Sequence, residues 1–450
     1  MELKEFIDDL FIEAHKAGFE EYEVYYVDRE SLSISVYKEE VEKYNLNNSS
    51  GLSFRGKIGD KIGYSYTEIL DKAAITMLVN RAKENISIIE NDDIQFIYKG
   101  DKVYAEVSTY SDKLENIPAD KLIEIALQME KEAKKYSDKV ESFGGCAISY
   151  GSGRYRIVNS KGLDLSNKSN MLTAYVVPIV KDEEKMYDGF GYVTARALDE
   201  VNPIEIAKQG VDEAVSKIGG KSIPSGSYKV VIKNEAMVSL LSTFAGIFSA
   251  DAVQKGLSLL KDKEGKKIAA PIVKLVDDPH LENGLASVAF DDEGVATSKK
   301  YIINNGKLET LLHNLKTANK AGIKSTGNGF KSSYASPISI SPTNFYIEPG
   351  DKSFDEVLKN VETGLMITDF AGLHSGANSI SGEFSLAASG FFIENGVKTF
   401  PVEQITVAGN FFTVLKDIEL IGDDLKFPLS SIGSPSIVIK ELSVAGERES

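Results

Sequence analysis

The sequence predicts an α+β fold, with an N-terminal helix-and-sheet region followed by a mostly β C-terminal region whose sheet is expected to be curved or a half-barrel. Three observations carry this. Helical and alternating apolar periodicities succeed one another in the first half. Beyond about Gly327 long helical patterns become scarce, and Gly, Ser and β-branched residues dominate from Tyr228 onward. Finally, neither regular βαβ spacing nor a glycine fingerprint after a strand is present, which disfavours a doubly wound nucleotide-binding sheet.

The elements follow in order. Leu3, Ile7, Leu10, Phe11 and Ala14 recur at helical spacing and Gly18 offers a stop, so a first helix is expected there. Residues 22–27 and 32–37 read as two strands, the second with Leu32, Ile34 and Val36 alternating against Ser31, Ser33 and Ser35. Residues 51–66 continue in the same vein, with Gly51, Gly56, Gly59 and Gly63 read as hairpin turns. A helix over about 71–85 closes this unit. A second block opens at Pro118 with the stripe Leu122, Ile125, Ala126, Met129 and Ala133, and strands follow it. Asn202, Pro203 and Glu205 then resemble an N-cap, a first-turn proline and a capping-box acid, opening a helix that ends by Gly219 and Gly220. Pro224, Ser225 and Gly226 mark a boundary. We therefore expect region 1–220, divisible into 1–110 and 111–220, and a β-rich domain over 225–450. The echo of helix, strands and helix in the first half has no clean sequence period.

Composition narrows the function. A chain of 450 residues exceeds what one hydrophobic core usually supports. With 51 basic and 67 acidic residues the formal charge is -16, which repels phosphate backbones, so a direct nucleic-acid partner is not expected. The opening Met-Glu-Leu-Lys-Glu-Phe lacks the basic and apolar segments of a signal peptide, and no run of 18 apolar residues follows, so a cytoplasmic protein with no membrane partner is the expectation. The single cysteine, Cys146, can form no internal disulfide.

One long motif runs Gly372-Leu373-His374-Ser375-Gly376-Ala377-Asn378-Ser379-Ile380-Ser381-Gly382-Glu383-Phe384-Ser385, followed by Ala388-Ser389-Gly390 and Ile393-Glu394-Asn395-Gly396. Val276-Asp277-Asp278-Pro279-His280, Phe290-Asp291-Asp292-Glu293-Gly294-Val295-Ala296-Thr297 and Lys324-Ser325-Thr326-Gly327-Asn328 accompany it, together with Asn159-Ser160-Lys161-Gly162-Leu163 and Ile223-Pro224-Ser225-Gly226. In these stretches the chain resembles the TldD/PmbA family, and specifically its metal-free PmbA or TldE branch. The resemblance implies a subunit of a paired cytoplasmic zinc metallopeptidase. It further implies that the TldD-like partner carries an HExxxH helix and a distant cysteine, which hold a zinc whose bound water is activated for attack.

This chain departs from that pattern. Aligned by the resemblance, Ser242 stands for the first histidine, Thr243 for the glutamate and Ile247 for the second histidine, while the expected cysteine falls near Ile421. The four histidines, at 15, 280, 313 and 374, never lie within five residues of each other, so no helix can present a local pair. No catalytic residue, metal ligand or cofactor is therefore assigned. His374, Ser375, Asn378 and Glu383 form a candidate peptide or cavity loop. A Ser/His/acid hydrolase is the competing reading of His374, Ser375 and Glu383, although the surroundings lack Gly-x-Ser-x-Gly. Asp277, Asp278, Asp291, Asp292 and Glu293 could hold a divalent cation, but turn-forming acids bonding to backbone explain the pattern more simply.

The expected function is that of a non-catalytic subunit that degrades or processes unfolded peptides together with a TldD-like zinc-bearing partner, or pairs with itself as a dimer. The alternatives are a peptide-binding or regulatory module, matching the family's older label of gyrase modulator, and a metal-independent hydrolase.

Overall fold

The computed structural model describes residues 1–88 and 96–447. Helix α1 (Leu3–Lys16) buries Phe6, Ile7, Leu10 and Ala14 on one face and stops where Gly18 takes φ +89°. Strand β1 (Glu21–Tyr37) is one continuous strand where two were expected. Its polar stretch Asp28-Arg29-Glu30-Ser31 conceals the continuity. These residues are nonetheless paired on both sides, Glu30 opposite Asn48 and opposite Ser152, so every backbone group there has a ladder partner. Strands β2 (Glu40–Ile58) and β3 (Lys61–Thr67) follow, then α2 (Lys72–Ile88), whose first turn is capped by Asp71 accepting from the Ala74 amide at 2.8 Å. Of the four glycines read as turns, only Gly59 sits in one, at φ +57°. Gly63 lies within β3, where a Cβ would stand 1.8 Å from the Ala82 carbonyl oxygen; it is small so that α2 can lie against the strand.

The second block carries α3 (Ala119–Tyr136), β4 (Val140–Asn159), β5 (Asp164–Asp182), β6 (Lys185–Asp188), β7 (Gly191–Ala195) and α4 (Pro203–Ser216). Asn202 caps α4 by accepting from the Ile204 and Glu205 amides, at 3.1 and 3.4 Å. All these strands form one antiparallel sheet in the order β3-β2-β1-β4-β5-β6, with β7 also against β5, so strand pairing joins the two halves of the N-terminal region. Even-numbered side chains of β1 face the helices. Val24 and Tyr26 pack with α1 and α2, while Leu32, Ile34 and Val36 pack with α3 and α4, which is the alternation seen in the sequence. Odd-numbered Tyr25 and Val27, with Ile157 and Leu163, turn the other way and meet Phe290 of the C-terminal region.

The C-terminal region opens with β8 (Gly226–Ile232) and α5 (Asn234–Phe244). Strands Val397–Asn410, Glu383–Glu394, Gly364–Ala371, β8 and Ile437–Ala445 pair in that order, and the first and last pair with each other through Thr406↔Ala445, Val407↔Val444 and Ala408↔Ser443. The curved sheet therefore closes into a five-stranded barrel, which leaves no open edge on those strands. Met237, Leu240, Leu241 and Phe244 of α5 share a core with Val230, Ile232, Leu365 and Ile367 of the barrel. Leu275, Ile303 and Phe345 of a second, five-stranded sheet complete it. Among the described residues no helix is long and apolar enough to cross a membrane.

Candidate functional site

The positions that correspond by resemblance to zinc ligands lie on and beyond α5. The helix ends at Phe244 and tightens into a 3₁₀ turn over Ala245–Phe248. Ser242 points to solvent, and the Thr243 hydroxyl donates back to the Ser239 carbonyl at 2.9 Å, closing on its own helix. Ile247 is 1% exposed and Ile421 6%, and both belong to the main apolar core. Neither aliphatic side chain has a lone pair to offer, so this donor set does not fit a zinc ion, which needs three nitrogen, sulfur or oxygen ligands. Among the described residues no three His, Cys, Asp or Glu side chains converge as metal ligands anywhere.

The Gly-rich loop follows the barrel strand Gly364–Ala371, and its one-turn helix Leu373–Gly376 packs against α5. Glycine is required at 372, which takes φ +79°. Ser375 donates its hydroxyl to the Gly372 carbonyl at 3.3 Å, and Asn378 Oδ1 accepts from the Ile380 and Ser381 amides at 2.9 and 3.1 Å. Glu383 accepts from the Ser381 hydroxyl at 3.2 Å. Ser375, Asn378 and Glu383 thus share one surface hollow, while His374 stands outside its lining, exposed and making no hydrogen bond to Ser375. A nucleophile needs a base within hydrogen-bond reach. Here the serine hydroxyl is turned to its own backbone, and among the described residues it has no hydrogen bond to His374 or Glu383.

The sequence reading missed a cavity of about 810 Å³ between the odd-numbered face of the N-terminal sheet and loops of the C-terminal region. Its floor is polar. Ser49 and Asn167 come from the sheet, and Ser287, Thr343 and Lys331 from the opposite side. Asp292 reaches the same floor from the acidic turn singled out in the sequence.

That turn is built from hydrogen bonds to backbone, as the simpler reading expected. Asp291 accepts from the Glu293, Val295 and Gly329 amides at 3.0, 3.0 and 2.9 Å. Asp292 accepts from the Lys331 amide and Glu293 from the Leu315 amide, each at 2.7 Å. Upstream, Asp277 is engaged by the Thr343 amide and hydroxyl, Asn328 and Lys300, and Asp278 accepts from the His280 amide at 3.1 Å. Each carboxylate is held by protein donors from different segments, which ties those segments together and leaves no shared oxygen shell for a cation.

Electrostatics at the cavity floor are dominated by burial. Burial pushes the Asp292 carboxyl up to about 6, against the pull of the Lys331 amide and ammonium, and pushes Glu293 up to about 7 despite the Arg55 guanidinium. Lys331 is pushed the other way, down to about 7, by burial and then by the like charge of Arg55. Among the described residues its ammonium hydrogen-bonds only to hydroxyls, Ser53 Oγ at 2.9 Å and Tyr64 OH at 3.4 Å, and lies over the rings of Tyr25 and Tyr64. Arg55 is paired with Glu23 at 3.1 Å through Nε. The acidic triplet was legible in the sequence, but Lys331 and Arg55, which face it, are remote along the chain and carried no signal.

Residues 22–86, 112–218 and 225–446 match, in turn, domain 1, the central domain and the C-terminal domain of the PmbA/TldA metallopeptidases. A metalloprotease PmbA homolog of Haemophilus influenzae is 27% identical over 420 residues, covering 92% of this chain and 90% of its own length. A crystal structure from Thermotoga maritima, described as a candidate modulator of a DNA gyrase, superimposes with a TM-score of 0.92 at 35% identity, covering 98% of this chain and all of the other. The crystal structure of TldE from Thermococcus kodakarensis shares the fold, with a TM-score of 0.90 at 21% identity over 98% of this chain and all of its own.

Proposed function

Since this chain belongs to the PmbA/TldD metallopeptidase family, we propose that it is a non-catalytic subunit that completes a zinc metallopeptidase acting on unfolded peptides in the cytoplasm. The observation that carries the reading is chemical. Buried isoleucines, Ile247 and Ile421, stand where the family resemblance calls for an imidazole and a thiolate. Without such groups this chain cannot hold an ion that lowers the pKa of water toward neutrality. What remains is a wall for substrate: polar loops and a large cavity able to hold an extended chain mainly through its main-chain groups, a mode tolerant of sequence. The partner is a TldD-like subunit bearing HExxxH, and the chain alone would at most pair with itself.

The test is to purify the chain alone, strip it of metal and assay casein and a short unfolded peptide, then repeat after mixing with a zinc-bearing TldD-like subunit. No cleavage alone and chelator-sensitive cleavage on mixing are expected. Cleavage by the isolated, metal-stripped chain would overturn the proposal. A second reading, a peptide-binding or regulatory module with no protease partner, draws on the cavity of about 810 Å³ lined by both regions of the chain. It predicts peptide binding with no activity on mixing.

A further inference from the structure

The charge around the cavity runs against the charge of the chain. Acids outnumber bases 67 to 51 overall, yet Arg29, Arg154, Arg196 and Lys331 line this cavity against only Glu30 and Asp292. Three of the seven arginines in the sequence meet at this one place. Their partners matter more than their number. Arg154 is paired, with Asp28 at 3.0 Å. Arg29 makes no ion pair among the described residues. Arg196 is half-buried, and among the described residues its guanidinium is anchored only by carbonyl oxygens, those of Asn170, Thr109 at 2.9 Å and Gly284 at 3.5 Å. Its nearest acid, Glu200, is engaged instead by the Arg196 backbone amide at 2.8 Å. Lys331 rests on hydroxyls and ring faces.

In a chain so rich in acids, none of Arg29, Arg196 and Lys331 is hydrogen-bonded to a carboxylate among the described residues; Arg29 is exposed, whereas Arg196 is half-buried and Lys331 buried, and withdrawing these two from water with no acid in contact is costly. A ligand carboxylate would offset that cost. The planar fork of arginine, fixed here by backbone carbonyls, matches a carboxylate in two parallel hydrogen bonds. We propose that this cavity is a carboxylate-recognition site for peptides, with Arg196 and Arg29 as the groups that meet the ligand's anionic end and Lys331 supporting them from the floor. The inference rests on the peptide-handling function proposed above and adds what part of the peptide is recognised. The carboxylate can come from a C-terminus or from an acidic side chain.

Three fluorescein-labelled hexapeptides separate the cases by fluorescence polarisation with the full chain: an alanine-rich peptide with a free C-terminus, the same peptide amidated, and an amidated version with a penultimate aspartate. A carboxylate meeting arginine is expected to improve affinity about tenfold or more over the plain amide. A gain from the free acid alone assigns the C-terminus, and an equal gain from the aspartate peptide assigns any carboxylate; both support the site. Because Arg196 also ties backbone segments, Arg29→Gln serves as the variant that keeps the fold. It should remove most of the gain, read as the ratio of free-acid to amide affinity within the same variant, with Arg196→Gln as the stronger version. Equal binding of all three peptides, or an Arg29→Gln protein that keeps the full gain, would overturn the inference while leaving peptide handling standing. Absence of binding by every peptide overturns it too; if mixing with the zinc-bearing subunit still yields peptidase activity, the proposed function survives, and if not, both fall.

Discussion

Asp292 shows how one buried side chain couples the two regions to pH. Its carboxyl is 6% exposed, accepts from the Lys331 amide and titrates at about 6 for the reason of burial. A folded-state value above the unfolded one means that folding favours the protonated form. That stabilisation is fully present below the ordinary carboxylate range and is lost as pH rises through about 6. Replacing Asp292 by Asn keeps the shape and removes the titration. Between pH 4.5 and 7 the variant should therefore show a flatter urea midpoint than the parent, the difference amounting to about 3 kcal/mol across the full range of the shift. Identical pH profiles for the two proteins would show that Glu23, Arg55, Glu293 and Lys331 around it compensate fully.

At the scale of elements, α5 and the turn after it decide what chemistry this chain can support. The helix was placed by resemblance, and its burial of Met237, Leu240, Leu241 and Phe244 makes it a central support of the barrel. Restoring a ligand there would meet that packing. Ile247→His buries an imidazole where an aliphatic side chain fills the core, and a loss of about 2–4 kcal/mol of stability is expected in urea unfolding, with no gain of bound zinc by elemental analysis. An unchanged midpoint would mean that position 247 can turn to solvent. The N-terminal sheet makes a related point about small residues. With alanine at Gly63 the Cβ would run into the Ala82 carbonyl, so Gly63→Ala should displace α2 and lower the melting temperature.

The whole molecule depends on how the N-terminal sheet meets the C-terminal loops. Phe290 packs edge-on against Tyr104 and Tyr155, with ring centroids at 5.8 and 5.6 Å, in a small core that also takes Tyr25 and Leu163 from the sheet. Around it Tyr104 donates to the Gly294 carbonyl at 2.8 Å, the Ala296 amide donates to Asp101 at 2.8 Å, and Lys331 reaches Ser53. Of these residues, Tyr25, Tyr155 and Lys331 also line the cavity. Phe290→Ala is expected to cost about 3 kcal/mol and to separate the unfolding of the two regions, seen as non-coincident transitions by near-UV and far-UV circular dichroism. A single shifted transition would show that the regions remain one cooperative unit without this cluster.

Local periodicity by itself determined much of the architecture: the stripes of α1 and α3, the Leu32-Ile34-Val36 alternation, the Asn202 cap and the change to a sheet-rich C-terminal region are properties of neighbours a few residues apart. That isoleucines stand at 247 and 421, where the resemblance calls for an imidazole and a thiolate, is equally a matter of which side chains exist rather than of where they go. Hidden from the sequence were the continuity of β1 through its polar middle, the role of Gly63 in admitting α2, and the closure of the barrel, since each is fixed by a partner beyond the reach of local periodicity. The cavity belongs to the same class. Arg29, Arg196 and Lys331 are unremarkable surface-type residues until pairing and docking set them around one space, and only the folded chain decides which cations pair with a carboxylate and which line the cavity.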